Sequence, residues 1–140
     1  MKIILGNNAQ VPTYGTLNSA GADLYSAEKV YLLPLQHKAV NTGLKIAIPG
    51  GLEGQIRPRS GLAFNHGITV LNAPGTIDSD YRGEIKVMLV NLSTEPYTVE
   101  IGDRIAQIVI SPYEKVVFDV VDDLDSPTDR GEGGFGSTGK

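Results

Sequence analysis

The chain has 140 residues, a net charge of −4 and a pI near 5.1, which describe a single domain able to bury its own core and not a general nucleic-acid binder. It contains no cysteine and only two histidines, His37 and His66, in unrelated contexts. Disulfides, thiolate metal sites and thiol nucleophiles are therefore excluded, and a histidine metal site is disfavoured. The apolar run at residues 1–5 is far too short for a signal peptide or a membrane span, so the simplest reading is a cytoplasmic protein with no membrane association and no direct nucleic-acid binding.

Seventeen glycines and eight prolines punctuate short β-branched runs, the pattern of a sandwich or barrel and not of βαβ units. In chain order, strands are predicted over residues 22–25, 29–32, 38–41, 44–48, 52–57, 68–71, 84–91, 97–99 and 104–110, with a turn at Pro49-Gly50-Gly51. Only residues 60–65 read as helix, a single marginal turn. The fold class is all-β, a compact β-barrel or jelly-roll-like body with one short helix. That body is read as residues 1–112, and residues 113–121 as an extended strand carrying Val116-Val117-Phe118. Residues 122–140 follow as a flexible connector, with five aspartates between 119 and 129, and a glycine-rich arm.

Five segments carry chemistry. In 72–84, Pro74 fixes one dihedral and Gly75 permits φ > 0, so the chain can bend before presenting Asp78, Asp80, Tyr81 and Arg82 together. A carboxylate, an aromatic face and a guanidinium suit activating a water, packing a sugar and holding a phosphate; an acidic hairpin corner is the plainer alternative. In the closing arm, Gly134, Gly139 and Lys140 fit the G-x-x-x-x-G-K spacing, but neither the following Ser/Thr and helix nor a preceding parallel sheet is present. The same residue types still suit an anion: glycine N–H groups, the Ser137 and Thr138 hydroxyls, the Arg130 guanidinium, and Phe135 as a lid over a flat ring.

In 57–63, Arg59 and Ser60 lie at the mouth of the short helix, where anions settle. Ser60 could equally be a simple cap, which would leave Arg59 unexplained. In 20–25, Asp23 opens a strand after a glycine, as a turn carboxylate or a water-mediated metal anchor. In 102–110, alternation puts Ile105 and Gln107 on one face and Ala106 and Ile108 on the other, and a buried glutamine there would need partners.

Taken together and in this order, the segments resemble the trimeric deoxyuridine triphosphate pyrophosphatase (dUTPase) family. Its five motifs correspond here to residues 20–25, 58–63, 75–84 with the upstream Asn72, 104–107 and 130–139. The resemblance implies hydrolysis of dUTP to dUMP and pyrophosphate by water attack at the α-phosphorus, which limits uracil incorporation into DNA and supplies dUMP for dTMP synthesis. Asp78 matches the carboxylate that activates the water, with Asp80 its neighbouring rival. Tyr81 matches the tyrosine that packs on deoxyribose, and Asn72, Thr76 and Ile77 match the uracil pocket. Arg59, Ser60, Gly61 and Gln107 match phosphate-binding positions, and Lys86 lines the nucleotide site.

The family further implies Mg²⁺ carried on the triphosphate, with Asp23 holding a metal-bound water. It implies a homotrimer with active sites at subunit interfaces, where Arg130, Phe135, Gly136 and Ser137 of one copy close over nucleotide held between others. Two rival readings remain: a dCTP deaminase on the same fold, which would lack the glycine-rich arm, and a nucleotide-sensing interaction protein.

Overall fold

A computed structural model describes residues 1–124 and 128–134. The chain runs β1 (Lys2–Leu5), β2 (Thr13–Tyr14), β3 (Ala22–Tyr25), β4 (Val30–Leu32), β5 (His37–Asn41), β6 (Leu44–Ala47) and β7 (Leu52–Arg57). After α1 (Ser60–His66) come β8 (Ile68–Val70), β9 (Gly75–Ile77), β10 (Lys86–Asn91), β11 (Tyr97–Val99) and β12 (Arg104–Pro112). The protein is all-β with one short helix, as its glycine and proline spacing predicts. Among the described residues the strand pairings trace no closed barrel. They form four sheets, in the orders β1-β6, β5-β10-β8, β11-β4 and β2-β3-β12-β7-β9.

Every pairing is antiparallel, and strands such as β4 and β6 show one face to the interior and one to solvent. Leu24, Leu32, Val40, Ile68, Leu89 and Ile108 are among the inward residues of the single core. Asn91 is fully buried in that core, and its carboxamide is satisfied. It donates to the Leu32 and Glu95 carbonyls and accepts from the Ser93 amide and hydroxyl.

Three strands, β1, β2 and β9, were not predicted; residues 75–77 of β9 lie where a bend is expected. All four residues of β1 are exposed, so it carries no alternation to read. The helix begins one residue after its cap, which is Arg59 with no side-chain capping bond, so Ser60 is not the cap. Gly67, at φ 65°, ends the helix in the left-handed region, and its N–H returns to the Ala63 carbonyl.

Beyond β12 the chain leaves the sheets. The Tyr113 N–H reaches the Gly51 carbonyl at 3.3 Å, and from there to residue 121 the chain forms no strand pairing among the described residues. Val117 and Phe118 in this stretch stand 88% and 87% exposed.

Candidate active site

β12 is the central strand of the five-stranded sheet, and its register builds the first cluster. Gln107 faces Asp23 on β3 and Arg57 on β7. The register shifts between Arg104 and Ala106, a bulge that inserts one residue. Strict alternation would set Arg104 and Gln107 on opposite faces. With the extra residue they share a face, and Ile105, Ala106 and Ile108 are all buried. The predicted pairing of Ile105 with Gln107 on one face therefore does not hold.

Asp23, only 4% exposed, receives all of this. Its Oδ1 accepts from Arg59 Nε at 3.2 Å and from Gln107 Nε2 at 3.1 Å, and its Oδ2 accepts from an Arg104 guanidinium nitrogen at 3.1 Å. Arg59 also donates to the Arg104 carbonyl, at 3.1 Å. The residue that a capping role left unexplained is thus half of a buried ion pair. Arg104, within a motif but not singled out from sequence, is the third arm. Gly21 makes room for it all, because a Cβ there would lie 3.1 Å from the Gln107 Cβ. Ser60 and Gly61 stand exposed on the first turn of α1.

The second cluster is a cleft of about 380 Å³ between β9, β10 and β5. It is lined by Asn72, Thr76, Ile77, Asp78, Tyr81 and Lys86, together with Ala39, Glu84 and Met88. Lys86 and Met88 reach it because they are two apart on β10, and Met88 pairs with Ala39 on β5. Gly75 is not the left-handed turn residue that its sequence context suggested. It lies within β9, and a Cβ there would fall 2.9 Å from the Asn72 Nδ2, so glycine lets the Asn72 carboxamide lie against the strand. Asp78 follows directly on β9, and the Tyr81 N–H closes a turn onto the Asp78 carbonyl at 3.1 Å.

Among the described residues, the side chains of Asn72, Thr76, Asp78 and Lys86 have no hydrogen-bond or ion-pair partner. Polar groups of four kinds, amide, hydroxyl, carboxylate and ammonium, thus converge on one cleft with their bonding capacity free for a ligand. None of Asp23, Arg59, Ser60, Gly61 or Gln107 lines that cleft. The expected site residues therefore fall into two separate groups within one chain. Asp80 is exposed in the same turn as Asp78 but does not line the cleft.

Arg130 lies in a local turn, donating from Nε to the Gly133 carbonyl at 2.8 Å. Phe135, Gly136 and Ser137 lie outside the described residues. Among the described residues no cluster of three His, Cys, Asp or Glu side chains could hold a metal ion, and no helix is long and apolar enough to cross a membrane.

An all-β scaffold with such a cleft and a separate arginine–carboxylate cluster carries the polar and cationic groups that a phosphorylated ligand needs, and the comparisons with known proteins give the class. A family model described as dUTPase matches residues 7–139. A deoxyuridine 5'-triphosphate nucleotidohydrolase of Cytophaga hutchinsonii is 57% identical, over 100% of this chain and 92% of its own. The protein of the same name from Wolbachia pipientis of Culex pipiens is 54% identical, over 99% of this chain and 93% of its own. The solved structure of Staphylococcus bacteriophage 80alpha dUTPase with dUPNHPP superposes with a TM-score of 0.92 at 28% identity, covering 99% of this chain and 98% of that one. The chain belongs to the dUTPase family. It is an enzyme of nucleotide metabolism, a hydrolase of dUTP.

Proposed function

We propose that the enzyme converts dUTP to dUMP and pyrophosphate by Asp78-assisted attack of water on the α-phosphorus. The water oxygen bonds to phosphorus, its proton passes to the Asp78 carboxylate, and the bond to the β-phosphate oxygen breaks as pyrophosphate leaves. The observation that carries this reading is the single cleft shared by Asp78, Asn72, Tyr81 and Lys86, in which the Asn72, Asp78 and Lys86 side chains have no partner among the described residues. A positioned general base is worth roughly 10²–10⁴ in rate. Asp78 is preferred over Asp80 because it lines the cleft.

Asn72, with Thr76 and Ile77 on β9, takes the uracil edge. Cytosine inverts the donor and acceptor order and would leave buried groups unpaired, a strong basis for rejection. Tyr81 packs on the deoxyribose, where a 2′-hydroxyl would collide with the ring. Lys86 supplies positive charge within the cleft, and Ser60, Gly61, Arg59 and Gln107 bind phosphate oxygens.

The substrate is the magnesium complex of dUTP, because Mg²⁺ prefers phosphate oxygens and retained waters to an all-protein cage. Asp23 does not suit direct coordination: three donors already occupy its two buried oxygens. One acceptor position on Oδ2 remains, which suits a magnesium-bound water.

The working form is a homotrimer whose sites lie between subunits. Three features favour it. The two site clusters are separate within one chain; among the described residues the stretch 113–121 pairs with no strand and exposes Val117 and Phe118; and β1 pairs along one edge only. That stretch would cross to a neighbour, bringing Arg130, Phe135, Gly136 and Ser137 over the bound triphosphate. The product dUMP feeds dTMP synthesis, and removing dUTP keeps uracil out of DNA.

Pyrophosphate release measured with dUTP, dCTP, dTTP and UTP in the presence of magnesium tests the proposal. Release from dUTP alone is expected. Ammonia from dCTP without pyrophosphate from dUTP would establish the deaminase reading in its place.

A further inference from the structure

We propose that Glu84, clamped to the β5–β6 turn, is the positioning residue for Tyr81, and that with Gly83 it sets how strictly the enzyme rejects ribonucleotides. The inference rests on the reading that Tyr81 packs against the sugar.

Tyr81 is not held by the core. It is 43% exposed, and two neighbours in sequence fix its ring. The first is Gly83, which lies directly beneath the ring. A Cβ there would fall 2.5 Å from the Tyr81 Cζ and 2.9 Å from Cε2, and nearer still to the hydroxyl. The second is Glu84, whose backbone carbonyl accepts from the Tyr81 hydroxyl at 2.9 Å. The ring can only be as fixed as that carbonyl.

The carbonyl of Glu84 is fixed from both directions. The Glu84 side chain turns away from Tyr81, and its Oε1 accepts from the Gly43 N–H at 2.8 Å. The next residue, Ile85, donates its N–H to the Leu44 carbonyl at 2.8 Å and accepts from the buried Thr42 hydroxyl at 2.6 Å. Gly43 is itself immobilised. It sits at φ 65°, a Cβ on it would lie 2.8 Å from the Ala9 Cβ, and its carbonyl accepts from the Gly6 N–H at 2.8 Å. A chain of bonds therefore runs from the end of β1 through Gly43 and Glu84 to the phenol that faces the cleft. Because the Tyr81 N–H also bonds the Asp78 carbonyl, slack in the ring reaches the backbone of the proposed base.

The anchoring contact needs an acceptor and not a charge. Glu84→Gln retains an acceptor oxygen for the Gly43 N–H, whereas Glu84→Ala leaves that N–H without its partner. Gly83→Ala leaves the clamp intact and lifts the ring directly.

The test measures kcat and KM for dUTP and UTP in Glu84→Ala, Glu84→Gln, Gly83→Ala and Tyr81→Ala, with calorimetric binding of the imido analogues of both nucleotides. Glu84→Ala and Gly83→Ala should each lower the dUTP-to-UTP ratio of kcat/KM roughly tenfold, the effect of one lost hydrogen bond to a charged partner, with KM for dUTP changing more than kcat. Glu84→Gln should restore selectivity to within about twofold of the parent. Unaltered selectivity in a folded Glu84→Ala, beside a relaxed Tyr81→Ala, would overturn this inference alone. Should Glu84→Ala not fold, Gly83→Ala decides by the same criterion. Unaltered selectivity in Tyr81→Ala would overturn the sugar-packing reading and this inference with it.

Discussion

Asp23 and Asp78 both stand in family motifs, yet their surroundings are opposite. Asp23 is buried and accepts from two arginines and a glutamine. Asp78 is exposed at the end of β9, and its side chain has no partner among the described residues. The first arrangement ties β3, β12 and the mouth of the helix together. The second leaves a carboxylate free to take a proton. Bonding capacity consumed within the chain fixes a side chain in place, and capacity left open in a cleft is available to take up a proton or a ligand.

The contrast can be broken by experiment. Asp78→Asn should lower kcat by roughly 10²–10⁴ while dUTP analogue binding and folding stability stay near the parent's. Normal turnover with lost binding would reassign the residue. Removing residues 130–140 should reduce kcat by about 10²-fold, the cost of withdrawing donors from a developing charge, and leave the oligomer intact by light scattering. Unchanged kinetics would refute the arm's closing role.

Asp23→Ala sharpens the other side. It leaves Arg59 and Arg104 facing one another without their anion, so chemical denaturation should show a loss of about 3 kcal/mol. A comparable loss in Asp78→Asn would erase the distinction between the two sites.

The smallest effect belongs to Tyr97 on β11. Burial pushes its phenol above the ordinary value, Asp103 adds to the rise, and Arg59 opposes it. The folded state thus favours the neutral phenol. Its contribution is complete below the unfolded pKa of about 10 and is lost as pH climbs through the higher folded value. Tyr97→Phe should flatten the alkaline limb of the stability curve, measured by thermal melts between neutral and strongly basic pH.

Much of this was legible in the sequence. β3, β7 and β11 have the predicted bounds, because turn residues bracket short β-branched runs. The convergence of Asn72, Asp78, Tyr81 and Lys86 followed from their motif order. What the sequence hid was geometry without periodicity. β1 alternates nothing, having no buried face. The bulge in β12 looks like ordinary alternation until the register is known, and that concealed Arg104. Gly75 read as a bend and Gly83 carried no reading, yet each is needed where another side chain lies against its Cα. A glycine two positions from an aromatic, or three from an asparagine, was the available clue.

The extra residue in β12 has a practical consequence for anyone editing this gene. Surface loops commonly absorb a lost codon, but between Arg104 and Gln107 the count of residues is itself part of the design. Excising Ile105 would leave Arg104 and Gln107 two apart on one face of a regular strand, but it would also strip a fully buried side chain from the core, so a tidier β-strand would be a less stable protein.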